Sequence, residues 1–137
     1  MERPSWDDIW ISFAELISQR SINQKFKVGA VVVTSDNTQV LSIGYNGDYK
    51  GGPNIIESEE PGQSGLIHAE VNALIKMDYN NPKGKKMYVS LSPCIDCAKL
   101  ILNSDIKEVI YKNEYRSCDG INLLRTNGVI VRSYNNL

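Results

Sequence analysis

Five short runs rich in β-branched and aromatic residues recur along the chain, and their order limits the fold more than any other feature. The first two, KVGAVVVT (27–34) and QVLSIGY (39–45), are separated by the turn-forming Ser35-Asp36-Asn37, which predicts a β-hairpin. Three further strands are predicted at residues 86–91, 107–112 and 128–134. Because helical patterns alternate with strands after the hairpin, we expect a mostly parallel sheet covered on both faces.

Four helices are predicted from capping signals and periodicity. The first opens on the capping-box pair Ser5 and Asp8, and its apolar residues at helical spacing are Ile9, Phe13, Leu16 and Ile17. The second covers IHAEVNALIKM (67–77), with one apolar face made of Ile67, Val71, Leu74 and Ile75. Ser92-Pro93, a capping serine followed by a proline, predicts the start of the third helix. A short fourth helix is expected near residues 121–127.

Composition narrows the class of protein. The chain has 137 residues without a repeat or linker, so we expect a single domain over residues 1–137. No apolar run approaches the ~20 residues that cross a bilayer, and the N-terminal MERPSWDDIW is acidic where a signal peptide is basic. We therefore expect a cytoplasmic protein without a membrane partner. A net charge of −1 argues against a stable nucleic acid partner, and an odd number of cysteines argues against a disulfide framework.

Two short motifs carry the chemistry. PCIDC (93–97) places Cys94 and Cys97 at i and i+3 near a helix start, where free N–H groups favour the thiolate form that binds metals. Taken alone, this motif also suits a redox pair or two small core residues. The segment HAE contains His68, which is the only histidine of the chain, and Glu70, a carboxylate on an otherwise apolar helix.

The two motifs together indicate a catalytic zinc site. His68, Cys94 and Cys97 supply three ligands and leave the fourth position open for water, as catalytic zinc sites require. Glu70 would carry protons beside that water. The pattern H-x-E followed by P-C-x-x-C is the signature of zinc-dependent deaminases of amino-heterocycles. HAE alone would equally suit tRNA adenosine deaminases and riboflavin-pathway deaminases.

The chain resembles the deoxycytidylate (dCMP) deaminase family of the cytidine deaminase-like superfamily over nearly its whole length. The segments that carry the resemblance are QRS (19–21), VGAVVV (28–33), GYNG (44–47), HAEVNAL (68–74), GKKMYVSLSPCIDCAKLI (84–101) and IKEVIY (106–111). The resemblance implies a three-layer α/β/α fold with a five-stranded mixed sheet, in which a hairpin precedes parallel β–α units. It also implies the zinc-dependent hydrolysis of dCMP to dUMP and ammonia, which supplies dUMP for dTTP synthesis.

The resemblance also implies roles for individual residues. His68, Cys94 and Cys97 would bind one zinc ion per subunit, and Glu70 would be the catalytic proton shuttle. Residues implied in substrate binding are Asn46 toward the deoxyribose, the backbone of Ala69 and Ser92 toward the pyrimidine, and Tyr115 and Arg116 near the phosphate. Lys25 and Lys27 are weaker phosphate candidates, and Arg116 alone could equally be a solvated loop charge.

Regulation and assembly follow from the same resemblance. Many members of the family form homohexamers that dCTP activates and dTTP inhibits, with Mg²⁺ accompanying the triphosphate. The effector residues implied here are Gly44, Tyr45, Asn46 and Gly47, with the irregular 46–65 segment as the moving part. Some relatives bind a second, structural zinc through extra cysteines. The corresponding segments of this chain, 21–27 and 51–57, contain neither cysteine nor histidine, so we expect no second zinc.

Two other functions remain open at this stage. A deaminase of tRNA or single-stranded DNA would need a basic groove with aromatic stacking platforms, which this near-neutral chain supplies poorly. A non-catalytic zinc-stabilised module would need a fourth protein ligand rather than the carboxylate of Glu70. Assays on free nucleotides and oligonucleotides distinguish the first alternative, and replacement of Glu70 distinguishes the second.

Overall fold

Five strands and four α-helices make up most of the regular structure of residues 2–136, which are the residues that this computed structural model describes. The helices are α1 (Trp6–Ser18), α2 (Ala69–Leu74), α3 (Ile95–Asn103) and α4 (Asp119–Thr126). The strands are β1 (Gly29–Thr34), β2 (Val40–Tyr45), β3 (Lys85–Leu91), β4 (Glu108–Asn113) and β5 (Ile130–Ser133). The predicted number, type and order of elements are confirmed.

The strands form one mixed sheet in the order β2-β1-β3-β4-β5. β1 pairs antiparallel with β2 and with β3, whereas β3, β4 and β5 are parallel. The hairpin followed by parallel β–α units is therefore confirmed. The sheet is less parallel than the alternation of elements suggested, because the connection after β2 crosses β1 and places β3 on its far side, antiparallel to it.

Helices cover both faces of the sheet, which confirms the three-layer arrangement. α1 packs on one face, where Trp10, Ile11 and Ala14 meet alternate residues of the central strands such as Val31 and Tyr88. α2, α3 and α4 pack on the other face against the intervening residues of the same strands. β1 and most of β3 are buried on both faces, as expected for central strands in a three-layer fold.

The buried faces of two helices differ from the predicted ones. In α2 the buried residues are Ala69, Glu70, Ala73 and Leu74, whereas Ile75 is 69% exposed. In α1 the apolar spacing was also misleading, because Leu16 is 68% exposed while the small residues Ala14 and Ser18 are buried. Small side chains allow a helix to approach the sheet closely, which accounts for the burial of Ala14 and Ser18 in α1 and of Ala69 and Ala73 in α2.

The start of α3 also differs from the prediction. The predicted helix began at Ser92-Pro93, but the N-cap is Cys94 and the first helical residue is Ile95. The hydroxyl of Ser92 instead accepts a hydrogen bond from the backbone N–H of Tyr115 at 2.7 Å. The serine therefore fixes the loop that follows β4. The capping box of α1 is confirmed, since Ser5 accepts from the Asp8 backbone and Asp8 accepts from the Ser5 backbone.

Between β2 and α2 the chain forms the long irregular connection that the sequence predicted. Gly47 and Ile67 exchange two backbone hydrogen bonds of 3.1 and 2.9 Å, which close the two ends of this connection. Across the described part of the chain, no helix combines the length and the apolar composition needed to cross a membrane.

Candidate active site

Two helix N-termini bring together the three predicted metal ligands. His68 is the N-cap of α2 and Cys94 is the N-cap of α3, and both have extended backbone conformations without a side-chain capping hydrogen bond. Cys97 lies three residues after Cys94, within the first turn of α3. The ligand atoms of the three residues all lie within 4.8 Å of one another. The structure therefore groups the three residues that the sequence singled out.

The spacing of these atoms fits a tetrahedral zinc ion. His68 Nδ1 lies 3.3 Å from Cys97 Sγ and 3.6 Å from Cys94 Sγ. With Zn–S bonds of about 2.3 Å and a Zn–N bond of about 2.05 Å, tetrahedral geometry places nitrogen and sulfur ligands about 3.6 Å apart. Two soft thiolates and one imidazole are also the donor set that zinc prefers. The cluster thus fits zinc in both distances and chemistry.

The protonation of the two cysteines is unequal without a metal. A hydrogen bond from the Cys97 thiol lowers the pKa of Cys94 to about 3, with His68 acting in the same direction against the effect of burial. The same hydrogen bond, together with burial, raises the pKa of the Cys97 thiol. The hydrogen bond with Cys94 raises the pKa of His68 above its ordinary value. Metal binding therefore has to displace the proton that the sulfurs share.

Glu70 lies beside this cluster, on the first turn of α2. Its side chain is only 4% exposed, and burial raises the pKa of its carboxyl to about 7, although the charge of His68 partly offsets that effect. A carboxyl with a pKa near neutrality can both accept and release a proton at physiological pH. The geometry thus supplies a proton carrier next to the three candidate ligands.

A cavity of about 700 Å³ opens above the cluster. His68, Glu70 and Cys94 lie in its wall. The irregular connection also forms part of the wall, through residues of the 56–64 segment. Pockets of about 300–1,000 Å³ are typical for small-molecule ligands, so this cavity has the size for one nucleotide.

Asn46 lines this cavity at the end of β2, but its amide is already engaged. Its Oδ1 accepts from the Val28 backbone at 2.9 Å, and its Nδ2 donates to the Phe26 carbonyl at 2.6 Å. One N–H of Nδ2 and one lone pair of Oδ1 remain for a ligand. The side chain is therefore held in one orientation by the segment that precedes β1.

The remaining substrate-binding candidates also lie in the cavity wall: Ala69, Ser92, Tyr115 and Arg116. Ala69 is the first residue of α2, so its backbone N–H has no partner within the helix. The guanidinium of Arg116 stacks on the Tyr115 ring at 4.7 Å from the ring centroid. Within residues 2–136, Arg116 forms no ion pair, which leaves its charge available to a ligand.

The other basic candidates differ from each other. Lys25 lies in the cavity wall and forms a 3.6 Å ion pair with Glu59 of the irregular connection. The ammonium of Lys27 instead donates to the Ser21 carbonyl at 2.7 Å and does not line the cavity.

Three glutamates of the irregular connection between β2 and α2 also line the cavity: Glu57, Glu59 and Glu60. Sequence patterns did not predict this acidic wall, although ESEE (57–60) inside a long irregular segment is a visible signal of it.

The four residues implied in effector binding separate into two groups. Asn46 lines the cavity formed by the described residues, whereas Gly44, Tyr45 and Gly47 are not part of its wall. Gly44 and Gly47 are buried, and Tyr45 is partly buried. The Tyr45 carbonyl accepts a hydrogen bond of 2.9 Å from the side chain of Asn72, which belongs to α2. The end of β2 is thus connected to α2, the helix that begins at His68.

Residues 4–113 match the family model described as the cytidine and deoxycytidylate deaminase zinc-binding region. The deoxycytidylate deaminase of Mycobacterium phage D29 is 36% identical over 129 residues, covering 83% of this chain and 99% of that protein. The human deoxycytidylate deaminase is 36% identical over 120 residues, covering 80% of this chain. The matched region spans only 65% of the human protein's length.

Solved structures give the same result. The dCMP deaminase of cyanophage S-TIM5, in complex with dCMP and dUMP, matches with a TM-score of 0.84 and 38% identity. The match covers 97% of this chain and 99% of that one. A bifunctional deaminase/reductase of Thermotoga maritima matches with a TM-score of 0.69 at 22% identity, which concerns the fold alone.

Proposed function

Because the chain belongs to the cytidine and deoxycytidylate deaminase family, with the fold of that family, we propose that it catalyses the zinc-dependent hydrolysis of dCMP to dUMP and ammonia. The observation that carries the proposal is the grouping of His68, Cys94 and Cys97 beside the buried Glu70, at the wall of a cavity of nucleotide size. The substrate itself is inferred from the relatives, since the phage proteins named above are dCMP deaminases. The chain acts as a single domain over residues 1–137.

Zinc, when bound, supplies Lewis-acid chemistry that makes hydroxide available near neutral pH. His68, Cys94 and Cys97 would hold it, one ion per subunit. Glu70 accepts the proton of the attacking water and delivers it to the ring nitrogen next to C4 of cytosine. It then takes the remaining proton from the hydroxyl added at C4 and gives it to the departing amino group, so that the C4–N bond breaks and water and dCMP are converted into dUMP and ammonia. A buried carboxyl whose pKa is about 7 suits both proton transfers.

Positioning of the substrate falls to the cavity wall. The free N–H of Ala69 and the backbone of Ser92 face the pyrimidine, and the remaining hydrogen-bonding capacity of Asn46 serves the deoxyribose. Arg116 is the first candidate for the phosphate, because it lines the cavity and forms no ion pair among the described residues, and its guanidinium can bind phosphate in a bidentate manner. Tyr115 stabilises the guanidinium by stacking.

The acidic wall favours a free nucleotide over a polynucleotide. Glu57, Glu59 and Glu60 would repel the many phosphates of a strand that had to pass the cavity mouth. A single phosphate monoester can instead be placed at Arg116. This distinction supports dCMP against tRNA or single-stranded DNA as the substrate.

Side-by-side assays test the proposal directly. Equal concentrations of dCMP, deoxycytidine, dCTP and a cytosine-containing single-stranded oligonucleotide should give turnover with dCMP at the highest kcat/KM. Turnover confined to the oligonucleotide would refute the proposal. Arg116→Ala should raise KM for dCMP at least tenfold and leave the residual rate on deoxycytidine unchanged. Arg20→Ala, which removes an exposed arginine outside the cavity wall, is the matched control.

We extend the proposal to regulation and assembly. By resemblance to the family, dCTP with Mg²⁺ activates, dTTP inhibits, and the subunits form a homohexamer. The effector residues would be Gly44, Tyr45, Asn46 and Gly47, and the contacts of this segment with Asn72 of α2 and with Ile67 support coupling to the metal cluster. Kinetics on dCMP with and without each triphosphate, and sedimentation of the purified protein, test these points; hyperbolic, effector-independent kinetics would exclude the regulatory part.

A further inference from the structure

Three glycines lie where a helix or loop backbone approaches them too closely for any side chain. None of Gly29, Gly44 and Gly120 has a positive φ, so backbone conformation does not explain their presence. Glycine inside a strand or helix destabilises that element by about 0.5–1 kcal/mol relative to alanine. Close approach of a second backbone is the remaining reason for a glycine at such positions.

Gly44 makes room for the helix that carries His68 and Glu70. A Cβ at this position of β2 would lie 2.4 Å from the Ala69 carbonyl oxygen and 2.5 Å from the Ala73 backbone nitrogen. Both atoms belong to the α2 backbone and cannot rotate away. Ordinary contacts begin near 3.4 Å, so an added methyl group would push the first turn of α2 outward by about 1 Å.

Gly120 does the same for the segment that carries Cys94. A Cβ at this position of α4 would lie 2.2 Å from the Pro93 carbonyl oxygen and 2.8 Å from the Cys94 carbonyl oxygen. Relief of this clash would again require the backbone to shift by about 1 Å. The shift would occur at Cys94, which provides one ligand and is the N-cap of α3, the helix that contains Cys97. The two contacts therefore fix the two separate segments from which the metal cluster is assembled.

Further contacts hold the His68 segment against the end of β2 and the residues that follow it. Ile67, the residue before His68, exchanges two backbone hydrogen bonds with Gly47. The side chain of Asn72 donates to the Tyr45 carbonyl at 2.9 Å. These bonds determine the position of the chain on both sides of the ligand. The GYNG segment (44–47) thus supports one half of the cluster.

We infer that Gly44 and Gly120 are positioning residues that set the distance between His68 and the two cysteines. Metal sites tolerate ligand displacements of about 0.2 Å, so a shift of about 1 Å at either segment disrupts the site. Loss of residues that orient metal ligands typically weakens metal binding about 10- to 100-fold. The inference rests on the proposed zinc site, and it concerns metal binding rather than turnover.

The third glycine provides a control with the same kind of contact but no metal ligand. A Cβ on Gly29 would lie 1.9 Å from the Ala14 carbonyl oxygen of α1, on the opposite face of the sheet. Gly29→Ala should therefore destabilise the fold through helix displacement while leaving the metal cluster in place. It separates a general loss of packing from a specific loss of ligand geometry.

The experiment measures zinc affinity by competition with a chromophoric chelator, for the wild-type chain and for Gly44→Ala, Gly120→Ala and Gly29→Ala. The first two variants should bind zinc at least tenfold more weakly, and the cobalt(II)-substituted forms should show weakened visible bands of tetrahedral cobalt. Gly29→Ala should keep zinc affinity within twofold and lower the melting temperature of the metal-free and zinc-bound forms alike. The inference is overturned if folded Gly44→Ala and Gly120→Ala bind zinc with an affinity within twofold of wild type. It is also overturned if Gly29→Ala loses as much zinc affinity as these two variants do.

A milder variant keeps the test decisive if Gly44→Ala fails to fold. Asn72→Ala removes the bond to the Tyr45 carbonyl without introducing a clash, and it should weaken zinc binding severalfold. Unchanged zinc affinity in both Asn72→Ala and Gly120→Ala overturns the inference. A wild-type chain that binds no zinc would instead defeat the proposed function, so the two failures are distinguishable.

Discussion

Replacing Glu70 with glutamine separates the chemistry of this site from its architecture. Glutamine has nearly the same shape as glutamate, so the packing of α2 and the positions of His68, Cys94 and Cys97 should be retained. The carboxyl that moves protons is lost. We expect Glu70→Gln to bind one zinc per subunit with affinity close to wild type and to have almost no deaminase activity.

The size of the loss follows from what surrounds the side chain. General acid–base catalysis contributes about 10²–10⁴-fold, which corresponds to roughly 3–5.5 kcal/mol of activation free energy. Glu70 is 4% exposed, and the other carboxylates in the cavity wall belong to exposed loop residues. Asp96 lies between the two cysteines but does not line the cavity, so no described carboxylate is placed to replace Glu70 and kcat for dCMP should fall at least 10³-fold.

The same substitution should stabilise the metal-free fold. Burial raises the pKa of Glu70 from an ordinary 4.5 to about 7, so the unfolded chain releases this proton at lower pH than the folded chain. Between pH 4.5 and 7 the wild-type protein therefore loses stability as pH rises, in total on the order of 3 kcal/mol. Glutamine removes this dependence, and the gain should be largest above pH 7 and absent below pH 4.5.

Two assays check both parts. Stopped or continuous assays of dUMP formation give kcat, while zinc content by elemental analysis shows that the site is intact. Urea denaturation of the metal-free proteins at pH 4.5 and pH 8 gives the difference in unfolding free energy. Activity within tenfold of wild type, or a stability difference that is independent of pH, would refute the role and the environment assigned to this carboxyl. Glu114→Gln, which alters an exposed cavity residue, is the matched control.

Three further outcomes are expected. Removing zinc with a chelator should lower the melting temperature, since free zinc at 100 times its Kd stabilises the fold by about 2.7 kcal/mol; an unchanged melting curve would contradict metal binding. Glu59→Gln removes the ion pair with Lys25, so that the ammonium of Lys25 becomes available to the phosphate of dCMP. KM for dCMP should fall about two- to fivefold, which corresponds to the free energy of one exposed ion pair, and KM for deoxycytidine should not change. Arg132→Met should destabilise the fold by about 1–3 kcal/mol in urea at pH 7, because it leaves Asp7 and Glu108 without the guanidinium that joins them. This destabilisation should shrink below pH 4. Burial raises the pKa of Asp7, but the hydrogen bonds from Arg132 outweigh burial and hold that pKa below 3.8. Asp7 therefore loses its charge, and the ion pair with Arg132 its contribution, as the pH falls further.

The fold could be predicted from local patterns because most of its signals agree. Alternating β-branched runs, turn residues and the capping box at Ser5 gave the number and order of elements. The pairing of β1 with β3 could not be predicted in this way, because it depends on where a long irregular connection returns to the sheet. Hydrophobic spacing also failed where helices pack closely, as Leu16 and Ile75 show by their exposure.

The candidate site was predictable where residue type determines chemistry. One histidine, two cysteines and one carboxylate were enough to predict the cluster that the structure groups. The cavity wall was not predictable, because Glu57, Glu59 and Glu60 acquire their role only from the path of the irregular connection. The engagement of Asn46 by the segment before β1 is likewise a tertiary property.

The misplaced start of α3 shows how this site departs from ordinary helix rules. Ser92 has the usual chemistry of an N-cap, but the helix is capped by Cys94, and α2 is capped by His68 without a capping hydrogen bond. A helix that lacks a good cap is weaker by about 1 kcal/mol, and α2 has only six residues. Both weak helix ends lie at the metal cluster. The backbone of each packs closely against a glycine, α2 against Gly44 and the start of α3 against Gly120. We therefore expect metal binding to add stability at the points where local sequence supplies least, and to couple the folding of these two helix ends to the assembly of the site.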